Sequence, residues 1–322
     1  MRILRRSLTL LVIFHIAALS PLKASAVDPP NVKVERDIAY VADGDTAQKL
    51  DLYLPAAAGE RPQPLLIWIH GGGWEGGSKA GCRFANQVAR GYVVASVEYR
   101  FSQKTKFPAQ IQDCQAAVRW LRANAAKYNI DPERVGVGGD SAGGHLVALL
   151  GTSGGQKAFP AVGGNEDQSD RVQAVCDFYG PADFFTVVEQ ANADTTTKNI
   201  FKWNAGDPYS KLIDAKVGED KSACEAVSPT HYVSKNSAPT LILHGDHDAL
   251  VPYAQSVELA DALKQAGVPV TLQKFPGAGH GGPAFNLPKV NRLIEKFFDK
   301  HLKGDDQTIE PLPDADVTPD GK

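Results

Sequence analysis

Five short apolar runs, residues 64–69, 92–97, 135–137, 172–178 and 240–243, punctuate the chain, and segments of helical periodicity separate them. Runs that are apolar at nearly every position suit strands buried on both faces, the condition inside a parallel sheet covered by helices. The clearest helical stretch, residues 109–126, returns Ile111, Cys114, Val118, Leu121 and Ala125 at steps of three and four. Further helices are predicted at 142–150, at 253–265 with Gly267 beyond the end, and at 287–302. Ahead of these units, residues 32–40 and 49–54 alternate apolar and polar side chains around Asp43-Gly44, which predicts an antiparallel hairpin. Strands alternating with helices after such a hairpin give an α/β chain with a mostly parallel central sheet and helices on both faces.

The 322 residues, 43% of them hydrophobic, can supply the core of one large α/β domain or two smaller ones. Arg2, Arg5 and Arg6 precede an apolar run over residues 8–19, and Ala24-Ser25-Ala26 follows, so residues 1–26 read as a signal peptide cleaved after Ala26. That run falls short of the about 20 residues that span a bilayer. A secreted or periplasmic product with no stable membrane insertion is therefore expected. A net charge of −3 with no basic segment gives no footprint for nucleic acid, which leaves small or neutral partners.

The globular part is expected over residues 27–303, followed by a tail, 304–322, whose Asp, Pro and Gly content reads as disordered. Cys82, Cys114, Cys176 and Cys224 lack the CxxC spacing of a zinc site, and they are open to either disulfides or buried thiols. Residues 180–238 carry no strong strand signal but hold Phe184, Phe185, Phe201, Trp203, Tyr209 and Tyr232. A small cap over the strand ends and an ordinary insertion whose aromatics pack together both fit.

The strand at 135–137 runs into "GGDSAGG", residues 138–144, and a helix follows. GxSxG between a strand and a helix is the arrangement of a nucleophile elbow, in which a sharp turn projects the hydroxyl at the end of a sheet. Ser141 is the candidate nucleophile. Gly139 and Gly143 make room for the turn, Gly144 permits close packing of helix on sheet, and Asp140 is too near in sequence to orient a base.

A serine hydroxyl needs a base to take its proton, and the base needs an acid to fix its tautomer. His280, in "GAGHGG" after the apolar segment 268–275, is a loop residue at the end of the last strand and the candidate base. "LILHGDHDALVP" places Asp246 and Asp248 just past a buried strand, and either can supply the acid. His244 and His247 in that stretch find no further ligands at metal spacing. "HGGGW", residues 70–74, follows the 64–69 strand; the amides of Gly72 and Gly73, with that of Ala142 behind the nucleophile, are the candidate oxyanion hole. His70 is expected to brace that loop.

In this order, "HGGGW", "GDSAGG", "HGDHDALVP" and "GAGHGG" resemble the esterase and lipase group of the α/β-hydrolase superfamily, up to about residue 302. More narrowly, the stretch that opens "YRFSQKTKFPAQIQDC" and runs through the serine motif resembles secreted bacterial carboxylesterases of the hormone-sensitive-lipase-like type, including bifunctional acetyl xylan and feruloyl esterases. The resemblance implies an α/β-hydrolase fold with a small cap insertion and the chain order Ser, Asp, His. Through the pattern HGxxDxxVP it implies Asp248 as the acid, leaving Asp246 to stabilise the turn. It further implies hydrolysis of carboxylic esters through an acyl-enzyme, without metal or cofactor, on small-molecule or carbohydrate-linked acetyl or feruloyl esters. The long N-terminal helical cap of hormone-sensitive lipases is not expected, because the sheet begins near residue 32, and the expectation is a more open site suited to short acyl groups or to an ester on a larger alcohol. The same residues serve amide hydrolysis in prolyl oligopeptidase-type peptidases and arylformamidases, and a non-catalytic binding module on this fold is a third reading.

Overall fold

The computed structural model describes residues 30–57 and 59–318, and the leader expected at 1–26 lies outside them. Eight strands, β1 (Val32–Ala39), β2 (Lys49–Pro55), β3 (Gln63–Ile69), β4 (Val93–Val97), β5 (Ile130–Asp140), β6 (Ala174–Phe178), β7 (Thr240–Gly245) and β8 (Val270–Phe275), form one sheet in the order β1-β2-β4-β3-β5-β6-β7-β8. The β1–β2 and β2–β4 pairs are antiparallel and all others parallel, as the hairpin and the apolar runs predict. The helices are α1 (Ala109–Ala123), α2 (Ala125–Tyr128), α3 (Ala142–Ser153), α4 (Val187–Ala193), α5 (Pro208–Ile213), α6 (Lys221–Val227), α7 (Tyr253–Gln265), α8 (Pro288–Phe298) and α9 (Asp314–Val317).

The continuous apolar runs are two interleaved faces. In β3, Leu65, Ile67 and Ile69 enter the core built with Ile111 and Val118 of α1 and Leu146 of α3, while Leu66 and Trp68 enter the opposite core with Leu293 and Phe297 of α8. β5 is longer than its apolar signal at 135–137, because pairing with β3 extends from Gln63↔Ile130 to Ile69↔Gly139. Its glycines weaken the signal for a packing reason: a Cβ on Gly138 would stand 2.4 Å from the Phe84 ring. The last helix, predicted to run to 302, gives way after Phe298 to a π turn over Asp299–Lys303.

The expectation of a disordered 304–322 tail is corrected for residues 304–318. They lie over the face of β8 beside α8: Thr271 Oγ1 donates to Ile309 O at 3.1 Å, Leu312 N donates to Gln273 Oε1 at 2.6 Å, and Val317 is fully buried. Average composition concealed three apolar residues, Ile309, Leu312 and Val317, that add to the α8-side core. All four cysteines are unpaired, three of them buried. Residues 180–238 contain α4, α5, α6 and a 3₁₀ turn at Pro229–Tyr232, with no strand.

Strand order reverses at β3, which has β4 on one side and β5 on the other. Ligands of open α/β sheets sit at the carboxyl ends of strands where the order reverses. "HGGGW" leaves β3 there, Ser141 leaves β5, and the segments holding Asp248 and His280 leave β7 and β8.

Candidate active site

Ser141 is the single residue between β5 and α3, with φ 54° and ψ −118°. That conformation costs about 1–3 kcal/mol in a side-chain-bearing residue and persists only where the surroundings impose it. Here they do. Ser141 N donates to Phe178 O at 2.8 Å, and His145 N donates to Ser141 O at 2.9 Å. The glycines act as predicted: a Cβ on Gly139 would stand 2.5 Å from Gly143 O, and one on Gly144 would stand 2.4 Å from Asp177 Oδ1. Asp140 is not idle; its Oδ1 accepts from Gly71 N at 3.0 Å and so fastens the elbow to the "HGGGW" loop.

Ser141, His280 and Asp248 come together from three segments. His280 Nε2 lies 2.8 Å from Ser141 Oγ, and His280 Nδ1 lies 2.6 Å from Asp248 Oδ2. Asp248 Oδ1 accepts from the amides of Leu250 at 2.8 Å and Val251 at 2.9 Å. Burial works to raise the Asp248 pKa, but hydrogen bonds from His244 and His280 outweigh it and hold the carboxyl well below the usual carboxylate range. Asp246 serves the turn instead, accepting from Gly277 N at 2.7 Å.

His244 is the partner that sequence reasoning missed. It is fully buried, with Nε2 at 3.1 Å from Asp248 Oδ2 and 3.0 Å from Val251 O, and Nδ1 at 2.6 Å from Ser256 Oγ. Two acceptors at Nε2 require the hydrogen there, so Ser256 donates to Nδ1. The available signal was a histidine four residues before the acid, closing an otherwise apolar strand.

Gly72 and Gly73 take φ 115° and 61°, and Gly72 O accepts from Glu75 N and Gly76 N at 3.1 and 3.0 Å, which closes a tight turn. A Cβ on Gly72 would stand 2.2 Å from Gly76 O. The amides of Gly72, Gly73 and Ala142 donate to no protein acceptor among the described residues, and all three residues border the cavity that Ser141 enters. His70 braces the loop as expected, with Nδ1 2.7 Å from Gly71 O and Nε2 2.7 Å from Glu98 Oε1.

Trp74 ties this loop to the 180–238 insertion. Its Nε1 donates to His145 Nδ1 at 3.2 Å, and His145 Nε2 donates in turn to Val227 O at 2.8 Å. The aromatic residues of the insertion both pack and line: Phe184 and Tyr209 are buried with ring centroids 5.6 and 5.4 Å from that of Trp74, while Phe201 and Tyr209 border the cavity. The cavity encloses about 320 Å³.

Two buried groups behind the elbow oppose each other in acid. Burial pushes His145 down to about 4 and pushes Asp177, whose Oδ2 is buried without a partner among the described residues, up to about 6. Between pH 6.5 and 4 the unfolded chain binds the His145 proton that the folded chain refuses, so this group costs stability as pH falls. Between pH 6 and 3.8 the folded chain holds an Asp177 proton that the unfolded chain lacks, which restores stability. Asp177→Asn deletes only the second effect. Its stability relative to the wild type in urea unfolding is expected to fall by about 2 kcal/mol from pH 7 to pH 4; a pH-independent difference would contradict it.

The BD-FAE family profile matches residues 50–263. The chain belongs to the BD-FAE family. This BD-FAE member has the α/β-hydrolase fold, and a truncated carbohydrate esterase from gut microbiota superposes on 84% of it and 96% of that chain, with TM-score 0.76 and 32% identity. Thermogutta terrifontis Est2 with propionate bound covers 84% of the BD-FAE chain and 94% of its own, with TM-score 0.66 and 26% identity. Esterase LipC of Mycobacterium tuberculosis is 30% identical over 243 residues, 74% of this chain and 57% of that protein. Esterase LipQ of the same organism is 31% identical over 263 residues, 80% of this chain and 58% of that protein. The BD-FAE chain thus spans little more than half the length of these two relatives.

Proposed function

We propose that this chain is a serine carboxylic-ester hydrolase that works through an acyl-enzyme on short-chain acyl esters of small molecules or carbohydrates, acetyl and feruloyl esters among them. One observation carries the reading: Ser141 Oγ lies 2.8 Å from His280 Nε2, at a cavity bordered by three residues whose amides have no acceptor among the described residues. In that reading His280 takes the serine proton as Oγ attacks the ester carbonyl, and the amides of Gly72, Gly73 and Ala142 receive the oxyanion. Asp248 stabilises the imidazolium. Nε2 then returns the proton to the departing alcohol, and a water activated by the same nitrogen releases the acid. The modest cavity suits a short acyl group, and the likeness to a carbohydrate esterase supports an ester carried on a sugar. We also propose export, on the leader composition of residues 1–26.

Comparing 4-nitrophenyl acetate, butyrate and octanoate with aminoacyl-4-nitroanilides tests the reading. Turnover is expected to be highest for the acetate and butyrate. Faster anilide cleavage would make the chain an amidase or peptidase, and turnover of neither would leave a binding module.

A further inference from the structure

Tyr179 follows β6 directly and belongs to none of the sequence motifs. Its φ is 45°, a left-handed conformation that is an outlier for a bulky aromatic residue and that proteins retain mainly where it serves a site. The backbone is pinned there by Tyr179 N donating to Leu243 O at 2.9 Å. The ring is wedged between the His280 imidazole, centroid 4.5 Å away, and the Phe285 ring at 5.0 Å. Beside its hydroxyl the chain has a glycine: a Cβ on Gly281 would stand 3.1 Å from Tyr179 Oη. Packed phenols ordinarily find a hydrogen-bond partner. This one has no protein hydrogen-bond partner among the described residues, although Tyr179 borders the cavity.

We propose that Tyr179 recognises the alcohol half of the substrate, donating its hydroxyl proton to an oxygen on the carbon next to the one that bears the ester. The inference rests on the ester-hydrolase reading and adds the class of alcohol. His280 Nε2 must reach the leaving oxygen to protonate it, so the alcohol sits over the imidazole, while the carbonyl oxygen points to the amides of Gly72, Gly73 and Ala142. Tyr179, packed on that imidazole, therefore flanks the alcohol. Burial raises the Tyr179 pKa above the ordinary tyrosine range, so the hydroxyl remains a donor throughout the working range of a histidine base. Monoesters of vicinal diols, the arrangement found on sugar rings, present the required acceptor. Phenyl and simple alkyl esters do not.

Tyr179→Phe keeps the ring against His280 and removes only the donor. For a pyranoside monoacetate with a free hydroxyl on the adjacent carbon, kcat/KM is expected to fall roughly tenfold or more, with 4-nitrophenyl acetate changed less than about twofold. Deleting the neighbouring hydroxyl from the sugar should cost the wild type the same factor and the variant nothing further. Equal losses on both esters, or no loss on the sugar ester, would overturn the inference and leave the ester-hydrolase reading intact. A wild type that hydrolyses 4-nitrophenyl acetate but not the sugar ester would also overturn it alone. Hydrolysis of neither ester would overturn both.

Discussion

Ser141→Ala is expected to lower ester turnover roughly ten-thousand-fold or more and to abolish labelling by a fluorophosphonate probe, with the melting temperature nearly unchanged. The two halves of this expectation have separate causes. Alanine carries the same Cβ, so the unusual backbone angles cost what they cost serine, and the backbone hydrogen bond donated to Phe178 O is untouched. What disappears is Oγ and with it the hydrogen bond to His280. Without it no covalent intermediate can form, and only the amides and the cavity remain to favour the transition state. Activity within tenfold of the wild type, or labelling of another serine in the folded variant, would remove Ser141 from the role proposed for it.

Gly143→Ala should act on the fold instead. Gly143 lies in the first turn of α3, and a Cβ there would stand 2.1 Å from Ile69 O and 2.7 Å from His70 O. Both are backbone atoms at the end of β3, which is held between β4 and β5 in the middle of the sheet. The helix must yield, and it carries Ser141 and the Ala142 amide with it. A loss of about 4 kcal/mol is expected, which lowers the melting temperature on the order of 10 °C. Gly277→Ala is the control. Gly277 has φ 72° but meets nothing within 4 Å, so only the backbone preference is lost, about 1 kcal/mol. If thermal unfolding placed the two variants together, the steric account of the elbow would be wrong.

The elbow, the glycine loop and the placement of His280 are legible in the sequence because each depends on residues close in sequence. A strand run, a glycine pair or a loop histidine announces itself within ten residues. His244 and Tyr179 do not. The first matters because β7 turns it inward onto Asp248, and the second because β6 sets it against His280, far along the chain; both relations come from strands lying side by side. Asp248 was separable from Asp246 only through a family pattern, since both follow the same strand and only the structure shows one facing His280 and the other Gly277. The apolar signal of β5 is shorter than the strand for a similar reason. Gly136 and Gly138 lower its intrinsic strand preference, while β3 and β6 on either side and the packed rings of Phe298 and Phe84 hold it extended.

The segment beyond Gly304 has a bearing on how the chain is made. The α8-side layer over the sheet does not finish with α8, since Gln273 and Thr271 of β8 meet Leu312 and Ile309 and, among the described residues, the layer's last buried side chain is Val317. A chain emerging from the ribosome can pair strands and close the α1 and α3 side early, in the order of synthesis. Among the described residues the α8-side layer is completed only by 309–317, so that side can close only after every strand of the sheet has been made.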